Sequence, residues 1–269
     1  MSGFASDARR RGGAAYCLTD GDWLERSKVN AVLEKINTQG FEAVSRPSKD
    51  AITVLNRVKA STAGPIVAAE VGVGVGATTV ELVRTLDGSG ELHLFDRETQ
   101  VRELVVDLEA MAISSGVTLV PHGNGWKTYD SYAWVLATMA RDLERAGQPV
   151  ELFDFVYLDG AHAFHHDAPA CAVLKRMIKP GGYLVLDDMK WTFNTSPTMN
   201  PAKRPEVGES YTEEQLSVPH VALVVDVLLR PDKEFEEIFL TERKNPSRAV
   251  FRRVPAGRRR PRGMRRRKA

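Results

Sequence analysis

A chain of 269 residues with 43% hydrophobic content can bury one substantial core, so a single catalytic domain with decorations is expected. No apolar stretch is long enough to cross a bilayer, and the arginines at 9–11 are not followed by the apolar run of a secretory signal, so a soluble, cytoplasmic protein is expected. The net charge of +2 hides an asymmetry: residues 252–268 carry ten basic and no acidic side chains, leaving the first 251 with 27 basic against 35 acidic, a balance of −8. Such a tail, residues 255–269, is either a disordered solubilising end or a contact for nucleic acid or another anionic surface. Cys17 and Cys171 supply neither a disulfide framework nor a thiolate metal cluster.

In chain order, residues 1–15 read as disordered, and helical periodicity in Trp23, Leu24, Val29, Val32, Leu33 and Ile36, then Ile52, Leu55 and Val58, predicts a helical cap ending near residue 60. From Ile66 apolar runs alternate with amphipathic segments. Strands are predicted at 66–71, 92–95, 117–121, 153–158 and 183–186, with helices at 77–86, 98–114, 129–145 and 165–178 between them. The alternation implies a Rossmann-like, doubly wound, mainly parallel sheet. Lys179-Pro180-Gly181-Gly182 reads as the turn into the fifth strand. A polar stretch at 189–219 is a candidate lid whose Trp191, Phe193 and Tyr211 could meet an acceptor, and a helix at 221–228 follows. Runs at 234–240 and 249–254, joined by Lys244-Asn245-Pro246-Ser247, predict a closing antiparallel hairpin and bring the sheet to seven strands. The main domain is thus expected to span 61–254.

Glu70-Val71-Gly72-Val73-Gly74-Val75-Gly76 lies where the first strand turns into a helix. Gly72, Gly74 and Gly76 free the backbone for unusual angles and for close approach of a ligand. The spelling departs from the dinucleotide fingerprint, because the third glycine comes one residue early and an acid leads. The pattern E-x-G-x-G-x-G resembles the first motif of class I S-adenosylmethionine-dependent methyltransferases. Asp96 ends the second strand, where a carboxylate can accept hydrogen bonds from both ribose hydroxyls; a helix N-cap is the alternative. Glu70 could face the amino or sulfonium end of S-adenosylmethionine, or cap the helix after Gly76. Asn124, beyond the third strand, could meet the adenine.

Strand four ends Leu158-Asp159-Gly160-Ala161-His162, and strand five ends Leu186-Asp187-Asp188. In an open α/β sheet the ligand crevice lies outside the carboxyl ends of the strands, so Asp159, Asp187 and Asp188 would converge beside the cofactor, with Asp159 serving both. Three carboxylates in one place repel unless a cation joins them, and an all-oxygen set suits Mg²⁺, or Mn²⁺ or Ca²⁺. Ordinary loop acids and a helix cap are the alternative reading.

An Asp ending strand four with an acidic pair ending strand five resembles metal-dependent O-methyltransferases of the catechol type, with Asp188 in place of that group's Asn. Asp159-Gly160-Ala161-His162 resembles the D-x-x-H motif of the macrocin O-methyltransferase family and related sugar and natural-product methyltransferases. That resemblance implies His162 as general base, and an imidazole with a pKa of about 6.5 suits the role. It covers residues 66–190 and implies O-methylation of a hydroxyl on a sugar or other polyhydroxylated small molecule. A nucleic-acid methyltransferase recruited by the basic tail, and a non-catalytic cofactor-binding regulatory protein, are the rival readings; self-association is left open.

Overall fold

The computed structural model describes residues 46–110, 114, 116–240 and 246–255. The expected disordered start, the part of the helical cap before residue 46 and the basic tail lie outside these described residues. The chain divides into two compact units, residues 1–135 and 136–269.

In the first unit, helix α1 (Lys49–Ser61) starts at Ser48, whose buried side chain accepts a hydrogen bond from the Ala51 amide and whose own amide donates to Thr78 Oγ1 at 3.1 Å. That second bond fastens α1 to the first turn of α2 (Ala77–Leu86). Strands β1 (Val67–Val71), β2 (Glu91–Arg97) and β3 (Thr118–Asn124) pair in parallel in the order β3-β2-β1, and α3 (Glu98–Ala110) connects β2 to β3. The register Glu70↔Leu94 and Asp96↔Gly123 carries the polar strand ends to one rim of the sheet.

Close packing at that rim depends on Gly123. A β-carbon there would overlap the Glu98 carboxylate and lie 2.6 Å from Glu98 Cα, so the start of α3 would have to move. Gly123→Ala is therefore expected to cost about 1–3 kcal/mol, read as a lowered thermal midpoint. An unchanged midpoint would show that α3 does not rest on β3 here.

Helix α4 (Tyr132–Arg145) leads to the second unit. There β4 (Phe153–Leu158) pairs in parallel with β5 (Ile178–Leu186), on the far side of α5 (Phe164–Met177). Strands β6 (Phe235–Glu237) and β7 (Ala249–Arg253) form the expected antiparallel hairpin, and β7 runs antiparallel to β5. Taken together, β1 to β7 are the strands of a Rossmann-like, mainly parallel seven-stranded architecture with an antiparallel end. Cys171, on α5, is buried, and burial pushes its thiol up to about 12, which keeps it protonated and inert.

Two expectations are corrected here. Lys179-Pro180-Gly181-Gly182 does not precede β5 but lies inside it, because pairing jumps from Phe153↔Ile178 to Phe155↔Tyr183 and the extra residues bulge outward. Gly181 takes φ +91°, and Lys179 Nζ reaches Asp154 Oδ2 at 2.8 Å, tying the bulge to β4. The helix predicted at 221–228 is a short α-helix, α8 (His220–Val224), running on into a wide π-turn at Val225–Leu229.

The candidate lid is a folded segment rather than a bare loop. It contains a 3₁₀ turn (Phe193–Thr195) and two short helices, α6 (Pro205–Ser210) and α7 (Glu213–Ser217), the last closed by a reciprocal Thr212–Gln215 capping box. Phe193, Val207 and Leu216 form a small core with Ala163, against which Trp191, Met199 and Tyr211 pack. Among the described residues no helix is long and apolar enough to cross a membrane.

Candidate active site

The first unit carries the glycine turn between β1 and α2. Gly72, Gly74 and Gly76 have φ of +87°, +52° and +85°, a region that excludes most side chains, and the space where a Gly74 β-carbon would project is open. The turn is held from below. Asp96 Oδ2 accepts from the amides of Val73 (2.9 Å) and Gly74 (3.2 Å), its Oδ1 accepts from Arg97 N at 2.7 Å, and Gln100 Nε2 donates to the Gly74 carbonyl at 2.9 Å. The Asp96 carboxylate, half-buried, thus shapes the glycine turn. Glu70 lies within β1, 1% exposed. Asn124, also buried, donates its side-chain amide to the carbonyls of Gly125 and Asp130, while Asp130 Oδ2 accepts from Gly125 N at 2.6 Å. The side chain of Asn124 therefore braces the loop after β3.

The second unit gathers the acidic residues. Asp159 follows β4 and Asp188 follows β5; His162 stands between them, with Nδ1 3.9 Å from Asp159 Oδ1 and Nε2 3.4 Å from Asp188 Oδ2. One donor atom from each of Asp159, His162 and Asp188 lies within 4.8 Å of the others. His162 and Asp188 also share a backbone peculiarity: their φ values are +54° and +55°. A residue other than glycine in this left-handed region costs on the order of 1 kcal/mol or more, and such strain collects where side-chain placement matters more than local comfort.

Electrostatics describe a site under repulsion. Burial, then the charges of Asp187 and Asp188, hold the Asp159 carboxyl well above the usual carboxylate range, against the opposing pull of the Tyr157 hydroxyl and Arg248. Burial likewise raises Asp188; His162 and Arg248 oppose the rise and Asp187 adds to it. A cation among these oxygens would reverse the preference, and the carboxylates form an oxygen donor set that fits a divalent ion.

Asp187 is placed differently. It is 6% exposed, its Oδ1 accepts from Asp188 N at 2.8 Å, and its Oδ2 accepts from Arg248 Nε at 2.7 Å and meets the Tyr157 hydroxyl. That hydroxyl also stands 3.0 Å from Asp159 Oδ2. Sequence reading missed Arg248 and Tyr157. The clue to Tyr157 is strand alternation, which puts it on the same face as Asp159; the clue to Arg248 is register, since Leu186↔Ala249 makes it the next residue opposite Asp187.

His220 was missed as well. Its Nδ1 accepts from the Phe164 amide at 3.1 Å and its Nε2 donates to the Gln215 carbonyl at 2.8 Å, so a neutral ring bolts the end of α7 to the start of α5. Trp191, half-buried, brings its ring centroid to 5.2 Å from that of His162, whereas Phe193 is 2% exposed and belongs to the core. Of the three aromatic residues expected to meet an acceptor, Phe193 is closed off by its own packing. The rings of His165 and His166 pack against one another, and that of His165 also meets Tyr211, outside the acidic cluster.

Residues 69–189 match the family model of a methyltransferase domain. No match to the sequence was found among curated proteins. Among solved structures, an O-methyltransferase from Bacillus cereus in complex with S-adenosylhomocysteine is similar at 14% identity with a TM-score of 0.50, covering 87% of this chain and 96% of that one. A protein from Corynebacterium glutamicum is similar at 14% identity with a TM-score of 0.54, covering 90% of this chain and all of the other. At such identities the shared property is the fold. Residues 69–189 are thus similar to a methyltransferase domain, on a Rossmann-like architecture.

Proposed function

We propose that this protein is an S-adenosylmethionine-dependent, divalent-cation-dependent O-methyltransferase acting on a hydroxyl of a sugar or other polyhydroxylated small molecule. The observation that carries the reading is the meeting of Asp159, His162 and Asp188, two of them held in left-handed backbone, at the carboxyl ends of β4 and β5. In the first unit, Glu70, the turn Gly72-Gly74-Gly76 and Asp96 take the nucleoside, with Asn124 shaping the loop beside it. S-adenosylmethionine, when bound, supplies the methyl group. Asp159 and Asp188 hold the cation, with Asp187 completing the acidic set from beneath. A divalent ion held there, Mg²⁺ or Mn²⁺, would supply charge that lowers the pKa of an acceptor hydroxyl. His162 takes the hydroxyl proton, and its contacts with Asp159 and Asp188 orient the ring and stabilise the imidazolium that results. Trp191 offers a flat apolar face to the acceptor, which suits the C–H face of a sugar ring.

The test is methyl transfer from labelled S-adenosylmethionine to a panel of glycosides, with and without EDTA. Chelation is expected to abolish transfer and added Mg²⁺ or Mn²⁺ to restore it. Transfer that survives both EDTA and Asp188→Ala would remove the cation from the reading. Independently of the acceptor, Asp96→Ala is expected to weaken S-adenosylhomocysteine binding by about 10–100-fold, measured calorimetrically, because a carboxylate hydrogen-bonded to ribose contributes about 1.5–3 kcal/mol.

A further inference from the structure

The acidic cluster contains its own cation. Arg248, the residue before β7, places Nε 2.7 Å from Asp187 Oδ2, on the same oxygen that meets the Tyr157 hydroxyl, while Asp187 Oδ1 accepts from Asp188 N at 2.8 Å. A carboxylate offers about four lone-pair positions, and three of those on Asp187 are taken by these neighbours. Asp187 is 6% exposed, so the carboxylate looks inward to Arg248 and Tyr157. The Tyr157 hydroxyl then reaches Asp159 Oδ2 at 3.0 Å, and the Asp188 amide is fixed by Asp187, so Asp188 is tethered to Asp187 directly and Asp159 through Tyr157.

We propose that Arg248 is a positioning residue that holds Asp187 as an internal support rather than a metal ligand, and that its charge keeps the divalent cation at Asp159 and Asp188 weakly bound and exchangeable. The physical reason is the sum of charges. Three carboxylates alone would bind a divalent ion tightly; a guanidinium one side chain away cancels one of them and repels the incoming ion through a partly dry medium, where a unit charge still acts strongly. The salt bridge also keeps Asp187 from rotating toward the ion, because turning it away would break a charge-assisted hydrogen bond of 2.7 Å to the half-buried Arg248.

This inference rests on the cation reading above, and its test separates the two. Mn²⁺ is titrated calorimetrically into the full-length wild type, Arg248→Gln, Arg248→Lys and the double variant Arg248→Gln/Asp187→Asn, with circular dichroism confirming each fold. Arg248→Gln keeps a donor for Asp187 but loses the charge, and is expected to bind Mn²⁺ about tenfold more tightly. Arg248→Lys keeps the charge and should stay within about threefold of wild type. The double variant removes one charge of each sign together, which leaves the net charge beside the ion unchanged and no charge unpaired, and is expected to bind within about threefold of wild type even if Arg248→Gln alone does not fold. Loss of Mn²⁺ binding in the double variant would make Asp187 a ligand and overturn the inference, as would unchanged or weaker binding by folded Arg248→Gln. Wild type that binds Mn²⁺ in either case leaves the cation reading standing; wild type that binds none removes both.

Discussion

Replacing His162 by asparagine is expected to lower methyl-transfer turnover by about 10²–10⁴-fold, the usual contribution of a positioned general base. Asparagine is the informative choice because position 162 has φ +54°, and Asn tolerates the left-handed region far better than alanine or a branched residue. The fold should therefore persist, with the thermal midpoint little changed, and the loss should appear in kcat rather than in KM. Its origin is local. His162 Nε2 is 3.4 Å from Asp188 and Nδ1 is 3.9 Å from Asp159, so the imidazolium formed on taking a proton is stabilised from two sides. Turnover within about threefold of wild type would mean that another group accepts the proton. Asp188→Ala, by contrast, should lose both turnover and the response to added divalent ion.

The second large effect lies away from the chemistry. His93 on β2 and His122 on β3 stack at 5.1 Å, with Nδ1 of one 2.9 Å from Nε2 of the other, and His122 also stacks on Phe95. Burial pushes His93 down to about 4, and burial together with the neighbouring His93 pushes His122 down to about 3. Both rings are neutral in the native protein at any pH near neutrality. In the unfolded chain each would titrate at about 6.5. Between about 6.5 and the native values the unfolded chain therefore binds protons that the native state refuses, and stability falls as pH falls. At pH 5 the loss is about 2 kcal/mol for His93 and a similar amount for His122. Urea unfolding at pH 7.5 and pH 5.0 measures it, and the variant His93→Phe/His122→Phe should lose most of the difference. A wild-type midpoint that does not move between these pH values would show that the two rings are accessible to protons in the native state.

The linear pattern carried a good deal of this architecture. Alternating runs from Ile66 to Leu186 predicted five strands; β4 (Phe153–Leu158) matches the expected bounds because it is a largely apolar run ended by Asp159-Gly160, and α2 (Ala77–Leu86) because it is an amphipathic segment between Gly76 and Asp87-Gly88. The glycine turn was legible for the same kind of reason: three alternating glycines are needed only where backbone angles exclude side chains, and all three have positive φ. Asp96, Asp159, His162 and Asp188 stood out because polar groups at the ends of apolar strands must sit at the rim of the sheet. Less legible was Lys179–Gly182, since proline and two glycines spell a turn in isolation, and only pairing with β4 shows that they bulge within a strand. The segment at 189–219 was legible as polar and strandless, yet its small core around Phe193 depends on contacts between residues too far apart in sequence for any local pattern to announce.

By itself the sequence determined which residue types stand at the strand ends: a glycine-rich turn with a carboxylate beside it, and a histidine among aspartates. Those assignments follow from local backbone demands and from two-residue strand periodicity, which act over a few neighbours. Tertiary structure alone decided how the aspartates divide their work. Asp187 and Asp188 are adjacent in the chain, but in the fold one turns inward to Arg248, 61 residues away, and the other, at φ +55°, comes to His162. A charge pair across antiparallel strands depends on register, and register is set by the packing of the whole hairpin rather than by any property of the residues it brings together.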